Sequence, residues 1–406
     1  MISSESAKKL LEFCESPVYV FDETAFLDNY HNFENTFKKH YGKYILSYSY
    51  KTNYAPYICK LVKENGGFAE VVSGMEYYIA EKIGYSPYQI VFNGPNKGNS
   101  GIDALLKGAK VNVDNLEELE SYLLVAKEHP EKTFKVGLRV NIDVGQDFIS
   151  RFGMDERDIS FAFERVSCVS NLMICGLHCH IGRCRRLDSW RLRCEKMLFL
   201  ADKYFNDSPP EYISLGSGMF GNVGDYFASQ LGEIPSYEEY ATVTAKAFDE
   251  HYKALPLEKK PILFTEPGTT VINKYVDFIC QVNSIKRIKD KFFAQLNCSF
   301  HNLGETSTLI KLPYYIIPGG SEQKTYKNLD FAGYTCLQQD IMVSDFCGAL
   351  GVGDYIVFGN VGGYSNVFKP PFIEPQAKMV SLKANGDIVE IKRKETYEDV
   401  LTTYIF

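Results

Sequence analysis

The chain has 406 residues, of which 45% are hydrophobic and 23% charged, and its formal net charge is −7. This length and composition predict a globular protein with room for a large core and a second domain, and they exclude extended disorder. The negative net charge provides no basic surface for nucleic acid or anionic lipid, so we expect neither partner. Small molecules are the expected ligands.

The N-terminal segment and the cysteines bear on the cellular compartment. Residues 1–11 lack an apolar core of signal-peptide length, and no run in the chain approaches the roughly 18 apolar residues of a membrane span. The 11 cysteines are an odd number, and Cys175, Cys179 and Cys184 lack a paired CxxC spacing. Neither a complete disulfide framework nor a metal centre is therefore predicted. We expect a cytoplasmic protein.

From residue 44 onward, short β-rich runs alternate with longer amphipathic segments, which is typical of a parallel sheet. The segments 116–127 and 188–204 are predicted helices, and no G-x-G-x-x-G follows the first run, which disfavours an open doubly wound sheet. Eight strand-helix units predict a closed (β/α)8 barrel of the TIM type. The eight runs are 44–50, 68–72, 90–93, 111–114, 136–140, 173–181, 212–215 and 262–266.

After residue 271 the pattern changes to strands without intervening helices. The runs 275–282, 292–299, 354–358 and 388–392 predict a separate antiparallel β domain. The sequence thus predicts a barrel over 25–270 and a C-terminal β domain over 271–406. The early run 18–21, within residues 1–24, is expected to join the C-terminal domain.

Polar residues accumulate where the predicted barrel strands end, and these ends converge on one mouth of a barrel. Each has an ordinary alternative: a solvent-facing lysine, a structural histidine pair, a plain turn or a helix-capping carboxylate. In a partly dry pocket, however, a lysine becomes a usable amine nucleophile. The residues are Lys51, Glu70, Glu76, Arg139, His178, His180, Gly216, Ser217, Gly218 and Glu266.

Taken together and in this order, these residues resemble the barrel-type pyridoxal-phosphate decarboxylases. This family has the alanine racemase-like fold and includes the diaminopimelate, ornithine/arginine and carboxynorspermidine decarboxylases. The resemblance extends over nearly the whole chain. Its most specific motifs are Ser49-Tyr50-Lys51-Thr52-Asn53, Glu70-Val71-Val72-Ser73-Gly74-Met75-Glu76, His178-Cys179-His180-Ile181-Gly182, Glu266-Pro267-Gly268, and Gly353-Asp354 followed by Gly363-Tyr364.

The resemblance implies a pyridoxal 5'-phosphate cofactor and a role for each motif. Lys51 is expected to hold the cofactor as a Schiff base, His180 to stack on its ring, and Glu266 to keep the pyridine nitrogen protonated. Cys336 matches the cysteine that reaches the site of the other subunit and protonates the carbanion, so an obligate homodimer with shared sites is expected. The phosphate contacts implied are Gly216, Ser217, Gly218 and Tyr364, and the supporting residues are Glu70, Glu76 and Arg139.

Two departures from the family pattern concern cations near the cofactor. The arginine usual after Glu-Pro-Gly is replaced by Thr269, and the small hydroxyl residue usual after His-x-Gly is replaced by Arg183. We hypothesise that Arg183 supplies the missing guanidinium near the phosphate or a substrate carboxylate. The alternative is a solvated arginine in the cluster with Arg185 and Arg186.

Two further departures concern the substrate, for which Lys311, Leu337 and Asp340 are the expected contacts. Leu337 replaces an acid that pairs with a distal amino group, and a leucine cannot compensate a buried ammonium. Lys311 stands where an arginine grips a distal carboxylate, and it keeps the charge without the bidentate fork. We therefore expect an amino-acid decarboxylase like the diaminopimelate enzymes with a retuned substrate.

Alternative functions remain open from the sequence. One is a carboxynorspermidine-type decarboxylase, which the Thr335-Cys336-Leu337 string resembles, and another is a racemase on the same barrel. A non-catalytic homologue is the third, although Lys51, Glu266 and Cys336 are all present. A barrel hydrolase using Glu70 and Glu76 lacks an assigned nucleophile or metal set.

Overall fold

The computed structural model describes residues 1–206, 208–320 and 322–406. The chain divides into two compact units. The first comprises Met1–Tyr30, Asn222–Glu233 and Val271–Phe406, and the second comprises His31–Gly221 and Ile234–Thr270. Within the described residues, no helix combines the length and the apolar character needed to cross a membrane.

The strands are numbered along the chain. They are β1 Val18–Asp22, β2 Tyr44–Ser49, β3 Phe68–Val71, β4 Ile90–Phe92, β5 Lys110–Val113, β6 Phe134–Arg139, β7 Leu172–His178, β8 Tyr212–Ser214, β9 Ile262–Thr265, β10 Val276–Ile288, β11 Lys291–Leu296, β12 Tyr314–Ile317, β13 Lys324–Ala332, β14 Ile341–Leu350, β15 Tyr355–Phe358, β16 Lys378–Leu382 and β17 Ile388–Lys392.

The helices are numbered in the same way. They are α1 Ser4–Leu11, α2 Glu23–His40, α3 Pro56–Glu64, α4 Gly74–Ile83, α5 Gly98–Lys107, α6 Leu116–Glu128, α7 Glu156–Ser167, α8 Leu187–Tyr204, α9 Asp225–Leu231, α10 Tyr237–Val243, α11 Ala245–His251, α12 Thr269–Ile272, α13 Phe300–Leu303, α14 Thr306–Leu309 and α15 Tyr397–Leu401. Single 3₁₀ turns occur at Pro87–Gln89, Leu257–Lys259 and Asn273–Tyr275.

The second unit contains a closed barrel of the eight parallel strands β2 to β9. Each strand pairs with the next, and β9 closes the barrel against β2. All eight predicted runs are barrel strands, which confirms the predicted fold. The interior is filled near Phe68, Val91, Tyr212 and Phe264, all of which are buried. A packed interior leaves the strand ends as the place for polar chemistry.

Side chains cap the beginnings of barrel helices, and glycines cap their ends. The Ser73 and Asn115 side chains accept hydrogen bonds from backbone amides in the first turns of α4 and α6. These bonds satisfy amides that have no partner within the helix. Gly84 and Gly108 end α4 and α5 in the left-handed conformation, with φ of 87° and 88°. Such caps stop each helix close to the strand that follows it.

The first unit is built on a mixed sheet with the strand order β14-β13-β11-β10-β1-β16-β17. Off this path, β15 pairs with both β10 and β12. Most pairs are antiparallel, as predicted, but β1 runs parallel to β16 and β11 runs parallel to β13. Strand β1 comes from the N-terminal segment and lies between β10 and β16. The strands β12, β13, β14 and β16 were not among the predicted runs. In β13 and β14 exposed residues interrupt the buried and half-buried ones, so neither strand has the regular pattern of a half-buried strand.

Candidate active site

Lys51 follows the end of β2 and lies beside a buried carboxylate. Its Nζ atom is 3.1 Å from Oε2 and 3.3 Å from Oε1 of Glu70. The Glu70 side chain is fully buried, whereas 29% of the Lys51 side chain is exposed. Glu70 also accepts hydrogen bonds from the Ser49 hydroxyl and, at 3.0 Å, from Asn93 Nδ2. These partners hold the carboxylate in one orientation toward the amine.

A chain of buried amides extends this arrangement across the barrel interior. Asn112 Nδ2 donates to Asn93 Oδ1, and the Tyr212 hydroxyl donates to Asn112 Oδ1, both at 2.8 Å. A Cβ atom at Gly137 would lie 2.0 Å from Asn112 Oδ1, and one at Gly176 would lie 2.3 Å from the Tyr212 ring. The two glycines therefore provide the room for this network. Asn112 and Tyr212 lie on predicted strands, but no sequence pattern indicated a role for them.

Glu266 follows β9 and is almost completely buried, at 2% exposure. Its Oε2 atom is 3.1 Å from Nε2 of His178 at the end of β7, and its Oε1 atom accepts from the Ser214 hydroxyl at 2.7 Å. Burial opposes ionisation, but attraction to His178, a hydrogen bond from it and the Lys51 charge together hold the pKa of Glu266 below its usual range. The site therefore contains a buried carboxylate that stays ionised.

His180 lies two residues beyond His178 and makes a different contact. Its Nδ1 atom accepts a hydrogen bond of 3.2 Å from the backbone N–H of Ser217. Burial, followed by the nearby positive charge of Lys51, lowers the pKa of His180 well below the ordinary value. The imidazole is therefore neutral, and because Nδ1 accepts, its proton resides on Nε2.

The turn Gly216-Ser217-Gly218 follows β8 and packs closely against the residues after β7. Gly216 and Gly218 have φ of 61° and 107°, in the region that favours glycine. A Cβ atom at Gly216 would lie 2.3 Å from the Cys179 carbonyl oxygen, and one at Gly218 would lie 2.5 Å from that of Ile181. Only glycine fits at both positions, so the turn presents backbone instead of side chains.

Arg139 is a buried member of the same barrel mouth. Its Nη1 atom donates to Asp114 Oδ1 at 2.9 Å, and its guanidinium lies 4.7 Å from the centroid of the Phe152 ring. The pairing with Asp114 satisfies the charge inside the barrel. Arg139 is thus held in place by its own neighbours at the end of β6.

Glu76 lies in the first turn of α4, where its Oε2 atom accepts a 2.7 Å hydrogen bond from Val72 N–H. Burial raises the pKa of Glu76 to about 7, although the Val72 bond and the Lys51 charge act in the opposite direction. Glu76 therefore caps the helix beside the lysine, and a large share of it is protonated near neutral pH.

We expect Glu76→Gln to change the pH dependence of stability. The carboxyl titrates near 4.5 when unfolded and near 7 when folded. The folded protein thus binds more protons between these values, and the free energy of unfolding falls as pH rises through the interval. The neutral amide of Glu76→Gln does not titrate and avoids this loss. The free energy of unfolding of the variant, relative to that of the wild type, should therefore be higher at pH 8 than at pH 4.5 by on the order of 2 kcal/mol. Urea unfolding of both proteins at both pH values measures this change, and Glu64→Gln, at an exposed position, is the control. A difference in free energy of unfolding between variant and wild type that does not depend on pH would contradict the prediction.

Arg183, the residue expected to replace the missing guanidinium, is exposed. In the part of the chain that the structure describes, its side chain has no hydrogen bond or ion pair. Thr269, at the start of α12, is half-buried. The hypothesis for Arg183 therefore stays a prediction.

The loop carrying Cys336 belongs to the first unit and is anchored by Asp340. The Asp340 carboxylate is buried and accepts from the amides of Phe300 at 2.9 Å and Thr335 at 3.1 Å, and from the Thr335 hydroxyl at 2.6 Å. Cys336 is exposed at the tip, and Leu337 is half-buried. These bonds show that Asp340 holds the loop, and its expected contact with the substrate stays a prediction.

Lys311 and Tyr364 are the remaining predicted residues of the first unit. Lys311 is exposed, and its backbone N–H and carbonyl group are both hydrogen-bonded to the Gln230 side chain. Tyr364 has φ of 54°, which a non-glycine residue rarely adopts, and its ring stacks on Phe368 with centroids 5.7 Å apart. The strained backbone at Tyr364 is a feature that occurs often at functional positions.

The residues of the barrel mouth fit the cofactor that the sequence led us to expect. An amine lies beside a buried carboxylate, a second carboxylate remains ionised, and a glycine turn leaves no room for a Cβ atom. These groups match the aldehyde, the ring nitrogen and the phosphate of pyridoxal phosphate. The predicted His178 lies against Glu266, and the structure adds two features that were not predicted, namely Ser214 on Glu266 and the Asn93 network on Glu70.

Comparisons with known proteins agree with this arrangement. The profile of the family described as "pyridoxal-dependent decarboxylase, pyridoxal binding domain" matches residues 28–273. A diaminopimelate decarboxylase from Aquifex aeolicus is 26% identical over 415 aligned residues, covering 98% of this chain and 94% of the relative.

Solved structures show the same fold. The crystal structure of diaminopimelate decarboxylase from M. jannaschii has a TM-score of 0.85 and 24% identity, covering 98% of this chain and 94% of that one. The enzyme from Helicobacter pylori complexed with L-lysine has a TM-score of 0.83 and 22% identity, covering 98% of each chain. With the family profile matched over the barrel, the chain belongs to the pyridoxal-dependent decarboxylases and is an enzyme that uses pyridoxal phosphate to remove the carboxylate of an amino acid.

Proposed function

We propose that Lys51 binds the cofactor covalently and that Glu266 pairs with the protonated pyridine nitrogen. The observation that carries this proposal is the buried carboxylate of Glu266, which accepts hydrogen bonds from His178 and Ser214. When bound, pyridoxal phosphate supplies an electron-withdrawing ring that accepts the electron pair left by departing CO₂. A carboxylate that stays ionised favours the proton on the ring nitrogen and so keeps the ring electron-poor.

The other residues around the mouth position the cofactor. His180, neutral and fixed by Ser217 N–H, provides a flat ring for stacking without adding a positive charge. The turn Gly216-Ser217-Gly218 and Tyr364 are proposed to bind the phosphate. Glu70 orients the Lys51 amine, and Glu76 and Arg139 support the walls of the site.

We propose a homodimer in which Cys336 of each subunit serves the site of the other. In support, Cys336 is exposed at the tip of a loop that Asp340 anchors by three hydrogen bonds. An exposed thiol on an anchored loop is available to a second chain and can donate a proton to the substrate carbon. Asp340 thereby acts as a positioning residue.

The substrate is proposed to be an amino acid like diaminopimelate with a changed distal end. Diaminopimelate is named for several relatives, among them the Aquifex enzyme. In this chain the half-buried Leu337 follows the proposed proton donor, and leucine offers no partner for a distal ammonium. Lys311 keeps a positive charge for a distal carboxylate. A carboxynorspermidine-type substrate is the second candidate, because the Thr335-Cys336-Leu337 string resembles the decarboxylases that use it.

Release of CO₂ from a panel of diamino acids and carboxylated polyamines tests this proposal. The wild type should prefer a substrate without an ammonium opposite Leu337. Leu337→Glu should raise the relative kcat/KM for diaminopimelate by about tenfold, because the new carboxylate pairs with the distal ammonium. Gln338→Glu, which adds the same charge at the exposed neighbouring residue, is the control. A wild type that prefers diaminopimelate, together with an unchanged preference in Leu337→Glu, would refute the retuned pocket.

We also propose a cytoplasmic location and the division into a barrel over 25–270 and a C-terminal domain over 271–406 joined by residues 1–24. All 11 cysteines are free thiols, as is usual in a reducing compartment. Strand β1, within the N-terminal segment, pairs with β10 and β16, which supports the assignment of that segment.

A further inference from the structure

Arg193, on α8 of the barrel, is a cation with no carboxylate partner. Its side chain is completely buried, and no ion pair involves it in the described part of the chain. Its guanidinium lies 4.0 Å from the centroid of the Trp190 ring. A buried cation is costly unless an anion or a set of dipoles compensates it, so the partners of Arg193 are informative.

The partners are the backbone carbonyl groups of the glycine turn and of the segment packed against it. Nη1 donates to the carbonyl oxygens of Leu215 at 2.9 Å and Ser217 at 3.0 Å, and Nη2 donates to that of Ile181 at 3.0 Å. One planar guanidinium therefore joins the segments that follow β7 and β8. These are the segments that Gly216 and Gly218 bring together so closely that a Cβ atom has no room.

These bonds also decide which way two amides point, one in the turn and one in the segment packed against it. In a trans peptide the carbonyl group and the following N–H point in opposite directions. With the carbonyls of Ile181 and Ser217 directed at Arg193, the N–H groups of Gly182 and Gly218 point away from it. Neither N–H has a hydrogen-bond partner among residues 1–206, 208–320 and 322–406. Two unpartnered amides facing outward above a buried cation form a binding place for an anion.

We propose that Arg193 supplies the positive charge of the phosphate site from beneath the glycine turn, orienting its amides toward the cofactor phosphate. This inference depends on the proposed binding of the phosphate by Gly216-Ser217-Gly218. It also accounts for Thr269, because the charge is provided from α8 instead of from the residue after Glu266-Pro267-Gly268. Arg193 acts through the turn and is a positioning residue.

The test compares equilibrium binding of pyridoxal 5'-phosphate and of pyridoxal, which lacks the phosphate, to the cofactor-free protein. Arg193→Gln should weaken binding of the phosphorylated form by on the order of tenfold or more and leave binding of pyridoxal within about twofold. Arg193→Lys keeps the charge and should retain part of the preference. Arg191→Gln, an exposed residue of the same helix that pairs with Asp188, is the matched control and should behave as wild type.

Other outcomes of this binding comparison would contradict the proposal. A wild type that binds both compounds equally refutes phosphate binding by the turn itself. A normal preference in Arg193→Gln, or its loss in Arg183→Gln alone, overturns the role of Arg193. Should Arg193→Gln fail to fold, phosphorus NMR of the wild-type holoenzyme decides the matter. The bound phosphate should stay dianionic well below pH 6, whereas titration near about 6, as for a free phosphate monoester, would overturn the proposal.

Discussion

Lys51→Ala is expected to abolish covalent attachment of the cofactor and to lower kcat by on the order of 1,000-fold or more. In the proposed site this amine is the nucleophile, and Ser49 and Asn93 orient Glu70 toward it. The alanine side chain offers no amine for a covalent link. The purified variant should lack the visible absorption of the lysine-bound cofactor, so a spectrum and a CO₂ assay measure the effect together.

Lys60→Ala is the matched control, because Lys60 is exposed on α3 and pairs only loosely with Glu64, at 3.7 Å. It should keep both the absorption and the activity. A Lys51→Ala protein that retains the visible band, or a wild type that remains colourless after the cofactor is added, would refute the assignment of Lys51. Loss of the band with unchanged turnover would separate cofactor attachment from catalysis.

The same variant tests the shared site of the proposed dimer. Mixing Lys51→Ala subunits with Cys336→Ala subunits should restore about a quarter of wild-type activity, since half of the random dimers are mixed and each contains one intact site. Each variant alone should have almost none. If every subunit uses its own cysteine, the mixture should gain nothing, because no site then combines Lys51 with Cys336.

Glu266→Gln is expected to lower kcat by about 100-fold or more, with a smaller change in KM. The wild-type carboxylate is ionised and accepts from both His178 and Ser214. A neutral amide cannot stabilise a protonated ring nitrogen, and its NH₂ group also faces one of the two donors. The separation of kcat from KM distinguishes this electronic effect from simple loss of binding.

Two further variants sharpen the Glu266 prediction. Glu266→Asp keeps the negative charge and should recover part of the activity, while Glu258→Gln, at an exposed position, should behave as wild type. The absorption of the bound cofactor should shift in Glu266→Gln, because the protonation of the ring changes. Activity equal to wild type in Glu266→Gln would show that the ring nitrogen has another partner.

Part of the glycine turn could be predicted from the sequence, and part required the structure. The place of Gly216-Ser217-Gly218 after a strand left a plain turn possible, and the resemblance to the decarboxylase family implied that this turn binds the cofactor phosphate. The cation beneath it was not predicted, although Arg193 lies on the apolar face of α8 that contains Trp190, Cys194 and Met197. An arginine on an apolar helix face could have indicated a buried cation. Which carbonyl groups it binds depends on contacts with residues 181, 215 and 217, which helical periodicity does not reveal.

The sequence by itself determined the barrel and the polar residues that converge at its mouth, and the resemblance of its motifs to the decarboxylase family indicated the cofactor. Strands and helices differ in the spacing of their apolar residues, so their alternation can be recognised in the sequence. In a closed barrel the ends of the strands must converge on one mouth. Only the tertiary structure decided the ionisation of Glu266, the tautomer of His180 and the parallel pairing of β1 with β16. It also decided that Asp340 anchors its own loop and that Arg193 lies beneath the glycine turn. These properties arise from burial and hydrogen bonds between residues distant in the chain, and local sequence patterns do not encode such contacts.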